Sequence, residues 1–271
     1  GSNGWDITGY ALSKDRTKIA IASLYGPTKA DTDTLLSTRR IWVLGADGKN
    51  FVRLTPVYKN PHKGSSTFRI DVRQPSFGAD GATVFFDYGE QTGTTGGARV
   101  WSVATDGTAV PDLLDTPAAC SAVGAAAVDP SSGKVLITQG VCANKADEGF
   151  VFFTADKQQA EMVMPMGAMS PSYEQPRWAA DGSLFLFTAR EDGGGPQSLF
   201  AYVMDKKSIV KLVAGASGQD VIDGALSSDG NAIVYCVRGA GVSNLRALDL
   251  TKDPPVDTAL TTDGASCHPI F

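Results

Sequence analysis

The chain has 271 residues, 42% of them hydrophobic and 20% charged, with a formal net charge of −5. That balance specifies a folded protein, either one or two ordinary domains or a single propeller or barrel, and excludes a disordered chain. Gly 30 and Pro 14 together exceed the roughly 12% background for these two residues, so the chain turns often and does not read as a helical bundle. No basic cluster is longer than Arg39-Arg40 or Lys206-Lys207, and the apolar runs, such as 150–153 and 184–187, are only a few residues long. Nucleic acid and anionic membrane are therefore not expected partners, and nothing approaches the roughly 18 apolar residues of a transmembrane helix.

In chain order, a turn recurs. Ala11-Leu-Ser-Lys-Asp15 leads to a β-branched run at 19–22, then to runs at 41–44 and 51–55. Ser76-Phe-Gly-Ala-Asp-Gly81 leads to runs at 84–86, 100–103 and 113–114. Ala127-Val-Asp-Pro-Ser131 is followed by 135–137, 150–153 and 162–164, and Arg177-Trp-Ala-Ala-Asp-Gly182 by 184–187, 199–203 and 209–213. Ala225-Leu-Ser-Ser-Asp-Gly230 precedes 232–235, 245–248 and 258–261. Each turn carries an apolar anchor (Leu12, Phe77, Val128, Trp178, Leu226), small residues, and Asp-Gly or a variant of it. The anchors after the first lie about 50 residues apart, a period at which internal repeats decide the whole architecture.

Counting the strand that carries the anchor, each unit has four short strands rich in aromatic and β-branched residues. A single such sheet cannot bury both of its faces, whereas several packed radially bury each face against a neighbour. The expected fold is therefore all-β: a β-propeller of four-stranded antiparallel blades, with five repeats plus a C-terminal strand. Asp-Gly supplies positive φ between the first and second strands, and the anchor packs between sheets, with most of the Trp178 ring removed from water. The expected units are 7–57, 72–116, 122–165, 174–214 and 221–262, all within one domain of residues 1–271.

The segment Gln175-Pro-Arg-Trp-Ala-Ala-Asp-Gly-Ser-Leu-Phe-Leu-Phe-Thr-Ala-Arg-Glu-Asp-Gly193, continued by Leu199-Phe-Ala-Tyr-Val-Met-Asp205 and Ile209-Val-Lys-Leu212, resembles the repeat of the TolB-like (PD40, WD40-like) bacterial β-propellers. The resemblance covers almost the whole chain, with the third unit departing at Asp129-Pro-Ser-Ser-Gly133. It implies the fold. For function it implies a range: periplasmic scaffolds, lipoprotein modules, gating domains of prolyl oligopeptidase-like enzymes, and metal-dependent pectate-fragment lyases.

Residues 266–271 include His268-Pro-Ile-Phe271, which aligns with Gln175-Pro-Arg-Trp178 and Gln74-Pro-Ser-Phe77. This closing or extra strand either completes a five-bladed ring with residues near 4–10, the favoured expectation, or begins a further blade of a six-bladed or truncated larger propeller. Gly1-Ser2 resembles a cleavage scar, so a targeting peptide is expected to have been removed ahead of it.

Four cysteines without CxxC spacing, together with only two histidines, make a poor zinc set and a better disulfide set. Cys120 and Cys142 are equidistant from Ser131, in the turn signal Pro130-Ser131-Ser132-Gly133. A hairpin with a three-residue loop there places them opposite each other, and Cys236 with Cys267 follows by elimination. Two bridges imply an extracytoplasmic location: periplasm, outer-membrane lipoprotein or secreted.

No Gly-x-Ser-x-Gly elbow occurs. His62 reads as a residue of a solvated loop, and His268 as a channel-side or disulfide-adjacent residue; neither makes a metal site. Glycoside chemistry needs paired carboxylates, and Asp6, Asp71, Glu174, Asp220 and Asp223 fall on or beside first strands. The expected outcome is a polar rim at the channel mouth formed by Asp71, Arg73, Glu174, Arg177, Asp220, Asp223 and His268. Asp31-Thr-Asp33 and Glu191-Asp-Gly-Gly-Gly195 lack complete calcium-loop spacing, so no cofactor is expected and structural calcium has no specific motif. Insertions at 25–38 and 57–70 carry Tyr25, Tyr58, His62 and Phe68 and are candidate partner-binding loops. The expected function is a non-catalytic cell-envelope scaffold for a protein or peptide partner, with any lipid anchor outside this segment. The alternative is a glycan-binding or glycan-processing propeller using the channel-mouth carboxylates.

Overall fold

A computed structural model describes residues 7–23, 39–55, 68–92, 95–114, 120–153, 159–165, 169–171, 176–191, 194–267 and 269. The chain divides into two compact units, Gly1–Val128 with Gly133–Val163, and Asp129–Ser132 with Met164–Phe271. The described strands make five four-stranded antiparallel blades, three in the first unit and two in the second, which is β-propeller architecture.

Blade 1 is β1 (Ile7–Leu12), β2 (Lys18–Ser23), β3 (Arg40–Gly45) and β4 (Val52–Arg53), paired in that order. Blade 2 is β5 (Phe68–Phe77), β6 (Thr83–Thr92), β7 (Thr95–Ala104) and β8 (Asp112–Leu113). Blade 3 is β9 (Cys120–Val128), β10 (Val135–Cys142), β11 (Gly149–Phe153) and β12 (Gln159–Pro165). In the second unit, blade 4 has a first strand in two pieces, β13 (Ser170–Pro171) and β14 (Arg177–Trp178), both paired with β15 (Leu184–Arg190). Its outer strands are β16 (Gln197–Val203) and β17 (Ser208–Val213). Blade 5 is β18 (Gln219–Leu226), β19 (Ala232–Gly239), β20 (Val242–Asp249) and β21 (Val256–Ala259).

The repeated turn is the local cause of the repeated blade. In blades 1, 2, 4 and 5 the residue after the anchor donates its N–H to a carbonyl five residues on: Ser13 to Lys18, Gly78 to Thr83, Ala179 to Leu184 and Ser227 to Ala232, all at 2.8 to 3.0 Å. The turn aspartate then accepts the N–H two residues later, as Asp15 does from Thr17, Asp80 from Ala82, Asp181 from Ser183 and Asp229 from Asn231. This is the Asx geometry that makes aspartate a turn residue. Gly81, Gly182 and Gly230 hold φ between 64° and 74°, while Arg16 takes the same place in blade 1 at φ 58°.

Within each unit the facing surfaces of neighbouring blades are apolar because they cover one another. Ala20, Ala22, Ile41 and Val43 of blade 1 pack on Val72, Phe77, Val84 and Phe86 of blade 2. Val100 and Leu114 of blade 2 pack with Ala126, Val135, Ile137, Val151 and Phe153 of blade 3. In the second unit, Leu186, Leu199 and Ala201 of blade 4 meet Val221, Ile233, Tyr235 and Leu248 of blade 5. Each fully buried Val, Leu or Phe contributes about 1.5–3 kcal/mol, which is why the propeller pattern needs no helix.

Several expectations are corrected. The turn between β9 and β10 is not a three-residue loop: Val128 pairs with Val135, leaving 129–134 in the turn. A bulge then sets Ala125 and Ala126 against Ile137 and restores the register that puts Cys120 opposite Cys142. The Cys120–Cys142 and Cys236–Cys267 disulfides both form and no cysteine is free, which fits an extracytoplasmic location. The strands of blade 2 run much further than the short apolar runs suggest: β5, β6 and β7 have ten residues each, because the polar residues 87–92 and 95–99 keep the ladder. The insertion 57–70 therefore ends inside β5, and Phe68 is a strand residue in register with Thr92. Trp178, as expected, is mostly removed from water though not fully buried, with its ring edge-on to Phe185 at 5.1 Å. Of the closing segment, residues 268, 270 and 271 lie outside the described residues.

Candidate functional site

The charged residues expected at the first strands separate into those the structure brings together and those it does not. Asp220 and Asp223 stand on β18 and Arg177 on β14, and within the second unit Arg177 meets Asp223. A bulge between Val221 and Asp223 breaks the alternation of β18, so two carboxylates three residues apart both find partners on blade 4.

Asp220 is held by two donors from blade 4. Arg190 Nη2 donates to Asp220 Oδ2 at 2.6 Å, and the Gln197 backbone N–H donates to Oδ1 at 2.8 Å. The second guanidinium arm, Arg190 Nη1, donates to the Gly195 carbonyl at 2.7 Å, which ties the β15–β16 connection to the same side chain. Burial works to raise the Asp220 pKa, yet the Gln197 N–H and the Arg190 guanidinium, helped by the charge of Arg238, hold it below the ordinary carboxylate range. Beside it, Gln197 Nε2 donates to Thr188 Oγ1 at 2.7 Å with both residues buried.

Asp223 is more deeply placed, with a side chain 5% exposed. It accepts the Gly224 N–H at 2.8 Å and faces Arg177 Nη2 at 3.6 Å. The ion pair supplies the neutralisation that a buried carboxylate requires. Gly224 is glycine here for a spatial reason: a β-carbon would come within 2.9 Å of the Leu199 side chain on blade 4.

In the first unit, Asp71 lies on β5 in register with Gly89, and Arg73, exposed, with Asp87. Gly124 of blade 3 permits a close approach to that pair, since a β-carbon on it would stand 2.8 Å from Asp87 Oδ2. Asp6, Tyr25, Tyr58, His62, Glu174 and His268 lie outside the described residues, as does the Asp31-Thr-Asp33 segment. In the other calcium candidate, Glu191 pairs with Lys211 of β17. Among the described residues no group of three or more His, Cys, Asp or Glu is arranged to hold a metal ion, and no helix is long and apolar enough to cross a membrane.

Sequence reasoning missed Arg190 and Gln197, the two blade-4 partners of Asp220. The only local signal was a polar pair at the ends of an apolar run, Thr188 and Arg190 after Phe187, which does not reveal a partner 30 residues away.

No protein-family model matches the sequence, and no curated protein matches it. Solved structures do. TolB from Acinetobacter baumannii is 18% identical, covers 82% of this chain and 49% of its own, and superposes with a TM-score of 0.57. This chain therefore spans about half the length of that TolB. Oligogalacturonate lyase from Vibrio parahaemolyticus is 12% identical over 97% of this chain and 81% of its own, with a TM-score of 0.55. The propeller of a nidogen/laminin complex is 13% identical over 93% of this chain and 79% of its own, with a TM-score of 0.60. At these identities the likeness is one of fold, and the fold is that of the TolB-like propellers.

Proposed function

We propose that this chain is a non-catalytic, extracytoplasmic propeller scaffold that binds a protein or peptide partner of the cell envelope. The observation that carries the reading is the commitment of two first-strand acids, Asp220 and Asp223, to structural ties. Both oxygens of Asp220 accept from blade 4, and Asp223 is buried beside Arg177. Carboxylates used this way hold adjacent blades together and are poor acids or bases for an incoming substrate. A rigid scaffold of this kind leaves recognition to loops and strand ends, here Tyr25, Tyr58, His62, Phe68 and the exposed Arg73 with Asp71. The nidogen/laminin complex supports the reading, because a propeller of the same fold is found there in a protein–protein assembly. The two disulfides support placement outside the cytoplasm.

The test is affinity capture from envelope extracts with the disulfide-intact protein as bait, followed by Arg73→Glu and Tyr58→Ala baits. A partner recovered by the wild type and lost with either variant is expected. Repeated failure to recover any partner at micromolar bait sinks the scaffold reading. Because a lyase shares the fold, oligogalacturonate turnover is measured alongside: turnover by the wild type that disappears in Glu174→Gln replaces the scaffold with the enzyme.

A further inference from the structure

The flank of the second unit holds a recess that none of the first-strand charges lines. Its floor is one face of blade 5, and the segment leaving β17, residues 213–216, closes one side. The volume is about 370 Å³, within the range of small-molecule sites. Two glycines in its wall mark close backbone approaches: a β-carbon on Gly239 would stand 2.7 Å from the Gly218 carbonyl, and one on Gly215 2.3 Å from the Gln197 carbonyl.

The floor combines an apolar strip with fixed polar groups. Val221, Val237 and Val242 supply the strip. Beside it, Arg246 Nε donates to both oxygens of Asp257 at 3.1 and 3.0 Å, Nη2 lies 2.9 Å from Oδ2, and Nε also reaches the Tyr235 hydroxyl at 3.3 Å. The pair is therefore neutral as a unit. Burial of Tyr235, with Asp257 as hydrogen-bond partner, pushes its pKa up to about 12, so the phenol stays protonated. Asn244 Oδ1 accepts the Gly264 N–H at 2.9 Å, which orients the amide and leaves Nδ2 to donate. Thr261 Oγ1 accepts the Leu245 N–H at 2.9 Å and keeps its own proton to give.

Donors and acceptors held at fixed angles beside an apolar strip suit a ring that carries hydroxyls on its rim and C–H groups on its face. An anion would meet Asp257 and a cation would meet Arg246, so charge disfavours both. A peptide strand needs an open backbone edge, but the floor is a sheet face, and the start of β20 is already covered by Ser243 N–H donating to Gly264 O and Leu260 N–H to Leu245 O. We propose that this recess binds a neutral saccharide unit, a mono- or disaccharide or the end of a glycan, through Asn244, Arg246, Asp257 and Thr261. None of the residues that line this recess is among those assigned to the protein partner, and the proposal does not depend on that assignment.

Saturation-transfer NMR and calorimetry with glucose, galactose, mannose, N-acetylglucosamine, cellobiose and lactose test the proposal, with galacturonate as the charged counter-probe. Two variants accompany the wild type: Asn244→Ala, which removes a donor, and Ala259→Leu, which fills the recess from an exposed edge strand without touching a hydrogen bond. At least one neutral sugar is expected to bind, and to weaken about tenfold or more in both variants, while the melting temperature of Ala259→Leu stays unchanged. Should Asn244→Ala melt early through loss of the Gly264 contact, Ala259→Leu alone decides. Absence of binding by every neutral sugar, galacturonate binding best, or sugar binding that survives Ala259→Leu overturns the assignment. Capture of a protein partner by the Ala259→Leu bait at wild-type yield separates this site from the scaffold reading, so either can fail alone.

Discussion

Removing the Asp220 carboxylate is the sharpest probe of how blades 4 and 5 are joined. In Asp220→Ala the Gln197 N–H, on a residue 7% exposed, loses its acceptor, at a cost of about 1–3 kcal/mol for an unsatisfied buried donor. The Arg190 ion pair adds less, because the two side chains are 40% and 33% exposed; solvent screening limits it to about 0–1 kcal/mol. The expected total is about 1–4 kcal/mol, at roughly 2–4 °C of melting temperature per kcal/mol for a domain of this size. Asp220→Asn keeps an oxygen for the Gln197 N–H but turns an NH2 group toward Arg190, so it loses the ion pair and its hydrogen bond and should cost about 0–1 kcal/mol. The pH dependence has a definite sign. The folded-state pKa of Asp220 is lowered, so between it and the unfolded value of about 3.9 the unfolded chain binds more protons. The stability from this group is fully present above the unfolded pKa and is lost as pH falls through the folded one. Thermal melts of wild type, Asn and Ala variants from neutral to acid pH read all three quantities. An Ala variant as stable as wild type at neutral pH, or a wild-type advantage over Asn that fails to shrink on acidification, would refute the interblade tie.

Three further outcomes are expected. Intact-mass measurement of the native protein after alkylation should find no modified cysteine, and Cys120→Ser with Cys142→Ser, opening a loop of sequence separation 22, should cost roughly 3 kcal/mol in denaturant unfolding. Gly215→Ala forces a β-carbon to 2.3 Å from the Gln197 carbonyl and should lower stability by about 1–3 kcal/mol, while Gly194→Ala, with nothing within 4 Å and no positive φ, should be thermally silent; equal melting temperatures for the two would contradict the close approach.

The repeat was legible because its chemistry is complete within about six residues. An aspartate that accepts from a backbone two positions on, a glycine free to take positive φ, and an apolar anchor form the same turn wherever they stand in the chain. From Leu12, Phe77, Trp178 and Leu226 the sequence by itself determined the strand order within each blade. The symmetry of Cys120 and Cys142 about Ser131 likewise located a bridge, although the hairpin that makes it has a longer turn compensated by a bulge. A bulge depends on how Ala125 and Ala126 sit against Ile137, and no local signal marks it. Tertiary structure alone decided the fate of the charges. Asp71, Asp220 and Asp223 are the same residue type on equivalent strands, yet Asp220 answers to Arg190 and Gln197, and Asp223 to Arg177. Hydrogen bonds and ion pairs act over a few ångströms of space and are indifferent to separation along the chain. Which acid becomes a tie between blades is therefore set only when neighbouring blades pack.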